Sequence, residues 1–290
     1  MRLLLPALLA LSPLLQAAED MRALIEQYDA DASLLNRHWA ASDDSAKALQ
    51  REQKLWEVRL QKLKAVDFAK LRPDQQVDYI LMRNDLEATL LRLRDNRTEH
   101  EELAPWLPFR PAIEALGDAR VGNEPLVPEK AAAALAPLPK AIQDILAKLK
   151  TAREKKPAAA PAKPEAVPPT PAPKPFPAPT PYQAMRAAGA VDQLADSLKK
   201  WFTNYEGFLP DFYWWAKQPY DETAKALEGY SKYLREEVAG EKSKDDGPLL
   251  GRPIGEKELQ EQLGHEFIPY TPQELIAIGE REFAWCEAEM

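Results

Sequence analysis

Sulfur and imidazole are almost missing from this chain of 290 residues, which holds one cysteine, Cys286, and three histidines, His38, His100 and His265. A single cysteine closes no intrachain disulfide. With no histidine beside it in sequence to favour the thiolate, Cys286 reads as a small apolar side chain. Positive charge is also short: 38 Lys and Arg face 46 Asp and Glu, a net charge of −8 at pH 7. Such a surface repels phosphate backbones and anionic lipid on average, and no local basic patch offsets it, so nucleic acid is not an expected partner. Glycine-rich phosphate loops, serine nucleophile elbows and basic–aromatic nucleic-acid motifs are all lacking. So is any convincing run of alternating apolar and polar residues, which argues against a sheet.

Long apolar runs are confined to the beginning. Arg2 precedes Leu3-Leu4-Leu5-Pro6-Ala7-Leu8-Leu9-Ala10-Leu11, and small residues lead into Glu19-Asp20. One positive charge, a short apolar run and Ala17-Ala18 form a secretory signal pattern over residues 1–18, cleaved near Ala17 or Ala18. The run is shorter than the roughly 20 residues that span a bilayer, so no stable membrane insertion is expected. No cysteine follows it, which excludes a lipid-anchored start of the bacterial type. The expected location is periplasmic or secreted.

What the chain does contain is helical periodicity. Hydrophobic residues make up 45% and charged residues 29%, the balance of a folded globular protein. Trp56, Leu60 and Leu63 recur at i, i+4, i+7 behind a capping region at Ser42 to Ser45. Pro73 opens a second helix with Tyr79, Met82, Leu86, Leu90 and Leu93 on one face and Val77, Leu81 and Leu91 on an adjoining one, which predicts packing on two sides. Pro105, Pro108 and Pro111 around Trp106 and Phe109 predict an extended connection. Ile142, Ile145, Leu146 and Leu149 mark a shorter helix. Residues 156–181 then turn to Pro, Ala and Lys and read as a disordered linker, because proline lacks the N–H that helices and sheets need. Val191, Leu194, Leu198, Trp201 and Tyr205 restore the helical pattern. A dense aromatic segment follows from Phe208 to Tyr220, bounded by Pro210 and Pro219, then a helix through Leu227, Leu234 and Val238, and a polar loop from Gly240 to Gly247. The fold class is all-α: a helical region over 19–155, the linker over 156–181 and a second helical region over 182–290.

The clearest local signal is Thr271-Pro272-Gln273-Glu274, a capping threonine, a first-turn proline and a glutamate at the third helical position. The helix it opens carries Leu275, Ile276, Phe283, Cys286 and Met290 without a terminator, which reads as a helix cut short.

Candidate sites are few. His38 has no carboxylate at helical spacing, and His100 lies among Glu99, Glu101 and Glu102 as a solvated charged face. His265-Glu266 begins like a zinc-peptidase motif, but Pro269 stands where the second histidine of the helical i, i+4 pair belongs, so no metal site is expected there. Asp78, Asp85, Glu280, Glu282, Glu287 and Glu289 are available as acids or bases, yet spacing pairs none of them. Trp214, Trp215 and Tyr220 are the candidate substrate-groove aromatics, with core anchoring as the competing role. No catalytic or metal-binding residue is expected in this chain.

Four phrases in order carry a resemblance: Val77-Asp78-Tyr79 with Arg83-Asn84 and Leu86-Glu87; Trp214-Trp215 through Pro219-Tyr220; Gly251-Arg252-Pro253-Ile254-Gly255; and Ile268-Pro269-Tyr270-Thr271-Pro272-Gln273-Glu274-Leu275-Ile276. They resemble the bacterial family called domain of unknown function 885, over most of the chain apart from the proline-rich stretch. The resemblance implies a helical, exported protein similar to gluzincin-type zinc metallopeptidases. It implies zinc and a peptide substrate for a full-length protein whose His-Glu motif lies downstream of the Ile-Pro-Tyr-Thr-Pro block. The chain would then be the N-terminal portion, inactive alone. A self-contained periplasmic helical binding or scaffold protein is the alternative.

Overall fold

In the computed structural model, the described residues are 21–39, 45–154, 176–241 and 250–290. The signal pattern, most of the proline-rich stretch and most of the Gly240 to Gly247 loop lie outside them. Every regular element among them is helical, and none is a strand. The chain forms two compact units. One draws on Met1–His38, Lys47–Arg97 and Pro253–Met290, the other on Trp39–Ala46 and Thr98–Arg252.

The first unit is built on α1 (Met21–Trp39), α2 (Ala46–Lys64) and the part of α3 (Pro73–Leu103) up to Arg97. Its core is the predicted stripes: Trp56, Leu60 and Leu63 from α2 against Tyr79, Met82, Leu86 and Leu93 from α3, with Met21 from α1. Two polar links fix α1 to its neighbours. Arg59 Nε donates to Asp31 Oδ2 at 2.6 Å, and the Tyr28 hydroxyl donates to Asp85 on α3. Partial burial, with the Asp85 carboxylate beside it, pushes the Tyr28 phenol well above its ordinary range. On the second side expected for α3, Val77 and Leu81 stay exposed while Leu91 is half-buried. α9 (Glu256–His265) and α10 (Pro272–Glu289) complete this unit, and neither contains a buried residue.

The second unit joins segments from both sides of the proline-rich stretch. α4 (Arg110–Val121), α5 (Pro128–Leu135) and α6 (Leu138–Glu154) share one core with α7 (Pro181–Glu206) and α8 (Pro210–Tyr233), running from Leu103 through Ile145 and Val191 to Leu234. The helices on either side of the change of composition therefore belong to one packed body, not to two.

Three local expectations are corrected. The stretch expected to be extended around Trp106 is a short 3-10 turn, Ala104–Trp106, leading into α4. Pro105 and Pro111 sit in first turns, where a missing N–H costs nothing. The linker expected to reach 181 stops earlier. Pro179 is buried, Phe176 packs on the core, and the Trp106 Nε1–H donates to the Pro177 carbonyl at 2.8 Å. Thr180 and Gln183 then close a reciprocal capping box at the start of α7. Finally, Pro219 does not bound the aromatic segment. α8 runs through it, because Phe212, Ala216, Thr223, Leu227 and Tyr230 form one buried face whose burial exceeds the roughly 3 kcal/mol penalty of an interior proline. A widened turn, Leu234–Ala239, ends at Gly240, whose φ of 79° needs a residue without Cβ.

Candidate functional site

The candidate aromatics sit at the start of α8, in the second unit. Core-facing Phe212 and Ala216 are fully buried and set the helix orientation. Successive helical residues are about 100° apart, so Trp214 projects opposite to the core while Tyr213 and Trp215 fan to either flank. Exposure follows that geometry: Trp214 is 82% exposed, Trp215 46% and Tyr213 45%. Phe208, in the α7–α8 turn, is also 82% exposed, and Leu209 beside it 40%. The result is an aromatic ridge rather than a groove. Tyr220 is separate in role, for its ring stacks on Phe202 with centroids 4.0 Å apart and planes 9° from parallel. Burial, then the nearby Asp221 and Glu206 carboxylates, raise its phenol above the usual range, so it is a packing residue with no tendency to ionise.

The ridge rests on a rigid base. Phe202 contacts Phe212, Tyr213 and Tyr220, and Trp201 meets Phe212 edge-on at 5.2 Å. Such a stack fixes ring orientation beneath the exposed side chains, which lowers the entropy lost when a ligand covers them. The sequence places Trp214, Trp215 and Tyr220 in one segment. Phe208 and Tyr213 were visible in the same segment, and the helical phase of α8 is what separates exposed rings from packed ones.

The histidines divide in two. In the second unit, His100 Nε2 lies 3.2 Å from Glu114 Oε1, and Arg110 Nε lies 3.8 Å from the same oxygen, with all three side chains largely covered. This is a covered polar cluster in which Glu114 faces both Arg110 and the His100 ring, not the solvated face expected for His100. In the first unit, Asn84 Nδ2 donates to the His265 carbonyl at 2.6 Å and Asn84 Oδ1 lies 2.9 Å from His265 Nδ1. Since the carbonyl can only accept, the amide orientation is fixed, and Nδ1 must carry the proton that Oδ1 receives. Nε2 is thereby left as the acceptor of the neutral ring.

Immediately after His265 the helix closes in a Schellman arrangement. Ile268 N–H donates to the Leu263 carbonyl at 2.9 Å and Phe267 N–H to the Gly264 carbonyl at 3.1 Å. That motif wants glycine at its left-handed position, yet Phe267 occupies it at φ 55°. The Thr271–Glu274 capping box then opens α10 as expected.

Zinc, which the resemblance implies, finds no fitting ligand set here. Pro269 stands where the second imidazole belongs, and no three His, Cys, Asp or Glu side chains converge among the described residues. No described helix is long and apolar enough to cross a membrane.

Comparison with known proteins adds one match. No curated protein and no solved structure matches the chain. The family model described as bacterial protein of unknown function (DUF885) matches residues 35–290, which takes in α2 to α10 and both units. The chain belongs to the DUF885 family.

Proposed function

We propose that the chain is the helical, substrate-contacting portion of an exported zinc-dependent hydrolase of the peptidase type. The fold would be the helical part of a gluzincin-like enzyme, with zinc and the acid–base groups carried by residues beyond those present here. The single observation that supports this reading is the aromatic ridge of Phe208, Tyr213, Trp214 and Trp215, exposed on a rigid stack. Large aromatic faces with low conformational entropy suit peptide side chains, since covering them removes apolar area from water without ordering long flexible groups.

The test uses the protein expressed from its whole reading frame, with a neutral peptide of about ten residues containing Phe and Leu. Hydrolysis abolished by chelation and restored by zinc is expected, with KM raised roughly tenfold or more by Trp214→Ala and kcat little changed. A protein that holds no zinc and cleaves nothing would sink the hydrolase reading. Peptide binding without cleavage would instead favour the self-contained helical binding protein.

A further inference from the structure

The second unit places a cation at the foot of the aromatic ridge. Ile113 and Gly117 mark the buried face of α4, and Arg120 continues that face into the last turn. The residue is half-buried, and its Nε lies inside the fold with no hydrogen-bond partner. Nor does a carboxylate pair with it among the described residues. Other covered arginines have carboxylates: Arg59 pairs with Asp31, Arg110 with Glu114 and Arg235 with Asp192. A cation in a last turn favours the helix dipole, but one pointing outward does so without hiding a donor from water. The dipole therefore does not account for the burial.

Tyr205 connects this cation to the ridge. α4 packs on α7, and Arg120 is near enough to Tyr205 for its charge to oppose the effect of burial on the phenol. Burial is the larger effect, so the phenol stays protonated, and its hydroxyl has no hydrogen-bond partner among the described residues. The Tyr205 ring rests on Phe212 with centroids 5.5 Å apart. Its carbonyl accepts the N–H groups of Phe208 and Leu209, both at 3.1 Å, in the turn that carries the exposed Phe208 ring. A guanidinium presents paired N–H donors that match a carboxylate, and it is less strongly hydrated than an ammonium, which suits it to a half-covered position.

We infer that Arg120, with the Tyr205 hydroxyl as a second donor, is the specificity-determining carboxylate receptor of the ridge. The preferred ligand is then an apolar or aromatic residue next to a carboxylate, supplied by a free peptide C-terminus or by an acidic side chain. This deepens, and rests on, the reading of the ridge as a peptide-contacting surface. Phosphate, which a guanidinium also fits, is disfavoured, because a net charge of −8 repels a dianion more than a monoanion.

The experiment uses the protein expressed from its whole reading frame and measures affinity by calorimetry, so that it does not depend on hydrolysis. The probes are N-acetyl-Phe-Leu with a free carboxylate, the same dipeptide as its C-terminal amide, and N-acetyl-Phe-Glu amide. At least one of the two carboxylate probes should bind roughly tenfold or more tighter than the Phe-Leu amide, and which one does so identifies the source of the carboxylate. Arg120→Gln should bring that probe down to the affinity of the amide, and Arg120→Lys, which keeps the charge without the fork, should restore part of the difference. Equal affinity of all three probes for the unsubstituted protein overturns the proposal. A preference that survives Arg120→Gln does so too, as does inorganic phosphate displacing the bound carboxylate at equal concentration. If Arg120→Gln lowers the melting temperature but leaves the preference intact, Arg120 pairs with a carboxylate of the protein itself and the proposal fails. Trp214→Ala separates the two readings, because a carboxylate preference that it leaves untouched at full affinity refutes the ridge as the peptide surface while Arg120 remains a carboxylate receptor.

Discussion

Tyr230→Phe isolates one buried hydrogen bond. The Tyr230 hydroxyl donates to the Trp106 carbonyl at 2.9 Å across 124 residues of sequence, and the side chain is fully buried. Its ring meets Phe109 edge-on at 5.9 Å, a contact that phenylalanine keeps. The substitution therefore removes a donor without opening a cavity and leaves a carbonyl with no partner in the core. A stranded buried acceptor costs about 1–3 kcal/mol, or roughly 2–10 °C in the melting temperature of a body this size. The same carbonyl belongs to the residue whose indole holds Pro177, so the loss is also expected to loosen residues 176–180 at the start of α7. Urea unfolding followed by tryptophan fluorescence reads the first effect and amide exchange at Ala184, whose N–H donates to the Thr180 carbonyl, reads the second. Tyr233→Phe, a half-buried neighbour on the same helix, serves as control with an expected change under about 0.5 kcal/mol. An unfolding midpoint for Tyr230→Phe equal to that of the control would refute the reasoning.

Phe267→Gly should raise stability by up to about 1 kcal/mol, because a left-handed conformation costs a non-glycine residue roughly 1–2 kcal/mol and glycine's extra chain entropy offsets part of the gain. A lower unfolding midpoint would show that the phenyl ring makes contacts worth more than the strain. The Glu274 carboxyl lies below the ordinary glutamate range, chiefly through the Thr271 backbone N–H it accepts from and then its hydroxyl. A folded pKa below the unfolded one means stabilisation present above the unfolded value and lost as pH falls through the folded one. Helicity of α10 should therefore drop on acidification below the ordinary glutamate range, and Glu274→Gln should flatten that part of the titration. Circular dichroism of the two proteins from pH 7 downward checks it, and an unchanged acid limb in the variant would refute the assignment.

The stripes legible in sequence were those with one neighbour to satisfy. Trp56, Leu60 and Leu63, or Val191, Leu194, Leu198 and Trp201, repeat at helical spacing because one face of each helix is buried, and periodicity reports that directly. Proline was harder to interpret, since the same residue that breaks a helix interior is free of cost in a first turn. Pro111, Pro128, Pro181 and Pro210 all open helices, and only Pro128 and a run of alanines announce α5. The capping box Thr180-Pro181-Tyr182-Gln183 has the form of Thr271-Pro272-Gln273-Glu274, and it was masked by the proline-rich composition leading into it.

Long-range pairing is of another kind. Nothing local in Asn84 or His265 announces that they meet across 181 residues, or that Ile142 and Val191 share a core. Such choices depend on how whole faces fit, and periodicity fixes a face without naming its partner. The same limit governs the candidate sites. Composition located the aromatic segment, but only the phase of α8 set by Phe212 and Ala216 shows that Trp214 projects outward while Tyr220 stacks inward on Phe202. For α10 the capping box and the apolar stripe were both readable, because each lies within one segment. A site made of one helix can thus be read from one segment, whereas a site made of several waits on the packing that brings them together.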